Sequence, residues 1–119
     1  MIRTLALLVA LSTPVTAQET TQAEGVLLRG LDKVSGKSTD IEIAAGRSAR
    51  FGRLTILASE CRYPAGNPSG DAYAGLTISE DGSDGPIFRG WMISSAPALS
   101  ALDHQRYDVW VIRCTTSEG

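Results

Sequence analysis

The chain has 119 residues, 43% of them hydrophobic, with eleven basic and thirteen acidic side chains and a net charge of −2. That length suits one domain with a modest core. So weak a charge argues against the clustered basic face of an electrostatic nucleic-acid binder, and no nucleic-acid partner is expected.

The first residues read as an address. Arg3 supplies a positive start, Leu5 to Leu11 is a compact apolar run, and Pro14 breaks it. Val15-Thr16-Ala17 then offers small or tolerated residues before a cut. This is the pattern of a signal peptide over residues 1–17, cleaved before Gln18. The run is too short for an anchor, which needs about 20 residues, so no stable membrane span is expected after cleavage. Losing Arg3 leaves ten basic residues against thirteen acidic, a net charge of −3. The expected location is periplasmic or secreted.

Residues 18–24 (QETTQAE) are polar and without a hydrophobic period, which predicts a flexible N-terminus. A single β domain is predicted over residues 25–114. Val26 to Leu31 is its first strand, and Ser35-Gly36 marks a turn. Thr39 to Ala44 alternates, with Ile41 and Ile43 on one face, and completes a hairpin. Ala49 to Glu60 is the longest strand candidate, with Leu54, Ile56 and Ala58 on one face. Inside it Gly52 signals a bulge or a close backbone approach. Cys61 falls on the Leu57 face if period two continues, and on the other face if a bulge intervenes.

Tyr63 to Gly70 carries two prolines and two glycines and reads as a surface loop. Ala72 to Ser79 and Ile87 to Ile93 are paired strands. The acidic stretch between them, Glu80 to Pro86, is a solvated turn; it lacks the ligand order of a calcium loop. Ser94-Ser95, with Pro97 in the first turn, predicts a short capped helical turn through Ala98, Leu99, Ala101 and Leu102. Tyr107 to Cys114 is the last strand, and residues 115–119 are a polar tail. The fold predicted is all-β: a small antiparallel sandwich or barrel of about six strands, with one short helical turn and one disulfide.

An even cysteine count in an exported chain favours a disulfide, and Cys61 with Cys114 is the one intramolecular pairing available. The alternatives are a metal pair or free thiols. Two thiols and one histidine are too few for a closed zinc site without carboxylate help. Neither a metal site nor a cofactor motif is read from the sequence.

The segment Phe88 to Cys114, written F-x-G-W-M-x-S-S-x-P-A-L-S-A-L-x-H-x-x-Y-D-V-W-V-x-x-C, resembles a small family of exported bacterial proteins, domain of unknown function 2155. Leu28 to Gly36 and Phe51 to Leu54, with Cys61 after them, are similar to it as well. Gln105 stands where proline is common in that pattern. The resemblance implies an exported domain with two paired cysteines, of an alphaproteobacterial type. It implies no activity and no catalytic residues.

The candidate chemistry is sparse. His104 is the lone imidazole, with Ser94, Ser95, Ser100, Asp103 and Asp108 nearby in sequence. A nucleophile–base–acid set can be drawn from these, but no G-x-S-x-G elbow is present, and serines before a helix are usually caps. Asp103 with Asp108, or Asp71 with Glu80, are the carboxylate pairs open to glycoside chemistry. Surface solvation is the plainer reading of each. Arg29, Asp32 and Lys33 form either surface ion pairs or a polar recognition patch.

Phe88, Trp91, Met92, Tyr107 and Trp110 cluster in two neighbouring segments, as core or as a partner patch. Ile87, Arg89 and Trp91 share one face of their strand, with Phe88, Gly90 and Met92 on the other. Asp108, Trp110, Ile112 and Cys114 share a face of theirs. The leading expectation is a non-enzymatic domain that binds a protein partner in the cell envelope. A hydrolase acting on cell-wall or glycan material is the alternative. A secreted enzyme inhibitor, working through the Tyr63 to Gly70 loop, is the third.

Overall fold

Alternation of apolar and polar residues, broken by positive-φ glycines, organises the chain into eight strands. The computed structural model describes residues 19–98 and 101–117; the predicted signal peptide, with Gln18, Leu99, Ser100, Glu118 and Gly119, lies outside them. The strands are β1 (Thr20–Gln22), β2 (Gly25–Asp32), β3 (Ser38–Ala44), β4 (Arg47–Phe51), β5 (Leu54–Pro64), β6 (Tyr73–Glu80), β7 (Pro86–Ile93) and β8 (Tyr107–Thr115).

They form two antiparallel sheets. The three-stranded sheet has the order β3-β2-β8. In the larger sheet β5, β6 and β7 form a meander, while β4 and β1 lie end to end along the other edge of β5. Between the sheets lies one apolar cluster. Val26, Leu28, Ile43, Val109 and Val111 enter it from the small sheet, and Leu54, Ile56, Ala58, Leu76, Ile78 and Met92 from the large one. No polar or charged side chain is buried among the described residues. Each large aliphatic group so placed contributes about 1.5–3 kcal/mol.

Two expectations change. The long run from Ala49 to Glu60 is split at Gly52-Arg53 into β4 and β5. Gly52 has φ +57°, and a Cβ there would lie 2.5 Å from the Tyr107 hydroxyl. Turn and close approach thus both require glycine. The N-terminus expected to be flexible contains β1, which pairs with Arg62, Tyr63 and Pro64, and Ala23 is buried behind it. Tyr63 and Pro64 therefore leave the predicted loop and end β5, and the polar tail begins one residue late, since Thr115 still pairs with Gly25.

The helical turn is also corrected: the described residues contain no helix. Ser94-Ser95 and Pro97-Ala98 are turns, and Ala101 to His104 has no regular structure. The reason lies in the serines: the hydroxyls that would cap a helix are spent on the Asp71 carboxylate instead. β7 ends at Ile93, beside the start of β6, whereas β8 begins at Tyr107, near the β4–β5 turn. Between them Leu102 is sunk in the core, 5% exposed.

Two bulges place the cysteines. In β5, Ser59 is an extra residue between Ala58 and Glu60, so Cys61 joins Leu54, Ile56 and Ala58 on the core face. In β8, Ile112 is extra between Val111 and Arg113, so Cys114 joins Tyr107, Val109 and Val111. The expected shared face of Trp110 and Cys114 is thereby overturned, because a bulge inverts the alternation beyond it. The disulfide Cys61–Cys114 then bridges the two sheets, with Cα atoms 5.7 Å apart.

Candidate functional site

The polar side chains gather at the two ends of the sandwich. At the near end lie the β2–β3, β4–β5 and β6–β7 turns and the start of β8. Asp32 accepts hydrogen bonds from the Arg106 guanidinium, the closest at 3.0 Å, and from the Val34 N–H at 3.0 Å. Arg106 above all, with the backbone N–H groups adding, holds the Asp32 carboxyl down to about 2. Lys33 donates to the His104 carbonyl at 2.7 Å and sits 3.5 Å from Asp108. Arg50 forks onto Asp81, with both nitrogen–oxygen distances 2.8 Å, and that bond holds the Asp81 carboxyl below its usual range.

His104 joins this end through both ring nitrogens. Nδ1 accepts from the backbone N–H groups of Arg106 at 2.9 Å and Tyr107 at 3.2 Å. That places the proton on Nε2, which donates to Glu80 at 2.7 Å. Both nitrogens are committed, so the imidazole is an anchor for the connection and not a free base. His104 lines a depression of about 350 Å³ with Glu80, Ile87, Asp103 and Gln105, and a second, of about 310 Å³, is lined by Asp32, Lys37, Arg50, Gly52 and Tyr107 among others.

At the far end Asp71 holds the start of the same connection. It accepts from the hydroxyls of Ser94, at 2.6 Å, and Ser95, and from the Ser95 and Ala72 N–H groups, each at 3.0 Å. Burial pushes this carboxyl up, but the four bonds together outweigh it and leave it lowered. Ser94 and Ser95 thus cap no helix. Their hydroxyls reach a carboxylate, and among the described residues no serine is hydrogen-bonded to His104.

Of the carboxylate pairs drawn from the sequence, Asp71 and Glu80 lie at opposite ends of a strand. Asp71 precedes β6 and Glu80 ends it, eight strand residues apart. That is roughly 25 Å, against the ~5–9.5 Å that glycoside chemistry uses. Asp108 pairs with Lys33, and Asp103 is exposed. The trio Arg29, Asp32 and Lys33 is also divided: Arg29 bonds Asp40 at 2.8 Å in the middle of the small sheet, away from the other two. The structure brings together Asp32, Lys33, His104 and Asp108, and adds Arg50, Arg53, Arg106 and Asp81. These arginines gave no sequence signal, since their partners lie up to 74 positions away.

The aromatic group divides too. Met92 and Tyr107 are core, each 2% exposed, and Phe88 packs half-buried against it. Trp110 is half-buried on the outer side of the small sheet, opposite Arg29. It lines a groove of about 360 Å³ with Pro97, Ala98, Ala101, Leu102 and Val109. Trp91 is 47% exposed on the outer side of the large sheet, over Gly75, with exposed Arg89 on the same side. The two tryptophans therefore belong to different surfaces.

Among the described residues no helix is long and apolar enough to cross a membrane. Residues 26–114 match the family described as "Uncharacterized protein conserved in bacteria (DUF2155)". Over 87 residues the chain is 31% identical to "Uncharacterized protein RP359" of Rickettsia prowazekii (strain Madrid E), covering 71% of this chain and 56% of that protein. The chain thus spans little more than half the length of that relative. No solved structure matches it. The matched span runs from Val26 in β2 to Cys114 in β8 and takes in both cysteines, both tryptophans and the anchored connection: the chain belongs to this bacterial family.

Proposed function

We propose that the protein is an exported, non-enzymatic β domain that binds a protein partner in the cell envelope. The docking surface is centred on Trp91, where the outer face of the large sheet meets the β7 edge. The observation that carries this reading is the exposure of Trp91, 47%, beside Arg89 on a sheet face that nothing in the chain covers among the described residues. Tryptophan and arginine are the residues that most often dominate binding surfaces. The side chains best suited to chemistry are spent on holding the connection: His104 on Glu80, Ser94 and Ser95 on Asp71. Export is supported by the charged, apolar and small-residue pattern of residues 1–17 and by the disulfide.

Two measurements test this. Cell fractionation should recover the chain outside the cytoplasm, beginning at Gln18; an uncleaved cytoplasmic chain would overturn the export reading. A photo-crosslinker at Thr77, on the Trp91 face, should capture a specific protein in cells, and Trp91→Ala should abolish the adduct. An adduct pattern that ignores Trp91 would count against this surface.

A further inference from the structure

β7 is an edge strand. Its ladder is to β6, and among the described residues the one backbone hydrogen bond on its other side is a local turn at its end, from the Ala96 N–H to the Ile93 carbonyl. Edges of this kind are usually blocked by charge, proline or a covering segment. The opposite edge of the sandwich shows such a block. Antiparallel pairing of β3 with β3 of a second copy, centred on Ile41, would set Asp40 against Glu42 and repel.

The same operation on β7 gives the reverse. Centred on Gly90, it sets Arg89 against Trp91 of the second copy, on the outer face where both are exposed. The axis repeats the contact, so two guanidinium–indole pairs flank it. On the inner face half-buried Phe88 meets the Met92 position, an aromatic–thioether pairing.

Gly90 itself points the same way. Its φ is not positive, and a Cβ there would meet only the Phe88 ring, at 3.7 Å. The monomer has room for a side chain and gains nothing from glycine, which weakens a strand interior. A glycine inside a strand often marks a bulge, a bend or the close approach of another backbone, and the bulge of β7 lies at Ile87, away from Gly90.

We infer that the partner of the Trp91 strand is a second copy of this chain, joined β7 to β7 about a two-fold axis at Gly90, so that the two large sheets become one. This rests on the reading of Trp91 as a docking residue and names its occupant. The contact is isologous and closes at two copies.

Equilibrium sedimentation of the purified chain should give twice the monomer mass at micromolar concentration. Arg89→Glu and Trp91→Ala should each weaken the dimer roughly tenfold or more, since each removes both cation–π pairs. Val34→Ser, in an exposed turn, should leave it unchanged. Oxidising a mixture of Arg89→Cys and Trp91→Cys chains should yield far more linked dimer than either alone, because the register sets those positions opposite. Melting curves identify any variant that fails to fold; if Trp91→Ala does, Arg89→Glu and the cysteine mixture decide.

A chain that sediments as a monomer up to about 100 µM overturns the inference. So does a dimer indifferent to Arg89 and Trp91. A monomer whose Trp91 face captures a different protein in cells overturns the dimer and leaves the binding reading standing. A monomer with no adduct removes both.

Discussion

The two ends of the sandwich hold the same connection by different means. At the far end the Cys61–Cys114 disulfide joins the sheets covalently, and Asp71 collects two hydroxyls and two N–H groups. At the near end the ties are three charged pairs, Asp32 with Arg106, Lys33 with Asp108 and Arg50 with Asp81, which reach solvent, and a hydrogen bond from neutral His104 to Glu80. The far end is stiff under all but reducing conditions. The near end depends on protonation and on salt, because exposed pairs are screened. Side chains that resemble catalytic groups in the sequence turn out to be fasteners.

The contrast can be broken from the far end first. Replacing both cysteines by serine should cost about 4 kcal/mol, the loop-entropy figure for cysteines 53 positions apart. Reversible denaturation should show it, and amide exchange should rise first in β5 and β8. Asp71→Ala leaves the Ser94 and Ser95 hydroxyls and the Ser95 N–H without their acceptor, while the Ala72 N–H keeps Ser94 Oγ at 2.9 Å. It should cost about 2 kcal/mol, with the loss confined to the start of the connection.

The near end should yield less. His104→Ala strips the Arg106 and Tyr107 N–H groups of their acceptor and should cost about 1 kcal/mol. If His104 is an anchor, exchange should rise at Arg106 and Tyr107 and not at Ser94 and Ser95.

The smallest effect is in pH. Asp32 is depressed to about 2 by Arg106, so its share of stability is complete above the ordinary carboxylate value and fades as pH falls toward 2. The lowered carboxyls of Asp40, Asp71 and Asp81 act with the same sign. Thermal melting should therefore fall between about pH 4 and pH 2, and Asp32→Asn should flatten part of that slope. An unchanged slope in the variant would remove Asp32 from the account.

Much of the architecture was legible because alternation is local. The β2–β3 hairpin, the pairing of β6 with β7 and the facing of Trp91 against Met92 follow from period two and turn residues. The facing of Cys114 did not, since Ile112 looks like any other strand residue and its bulge is a property of the pairing. The helical turn misled for a related reason. Ser-Ser followed by Pro and Ala has good helix chemistry, but both hydroxyls are taken by Asp71, which lies far off in sequence. The site was less legible still. Asp71 lies 23 residues from Ser94, and Glu80 lies 24 from His104, so no short motif contains either pair.

The two bulges carry a constraint on the length of the chain itself. Between Leu54 and Cys61, and between Tyr107 and Cys114, the count of residues is even where unbroken alternation demands an odd one. Deleting Ser59 alone would leave five residues between Leu54 and Cys61, so unbroken alternation would itself keep Cys61 on the core face. Deleting Ile112 alone would do the same for Cys114. An extra residue inserted beside either bulge, by contrast, would turn that cysteine outward and strand its partner in the core, although the two lie in different sheets. A thiol titration separates the two cases: no free cysteine after either deletion, two after either insertion.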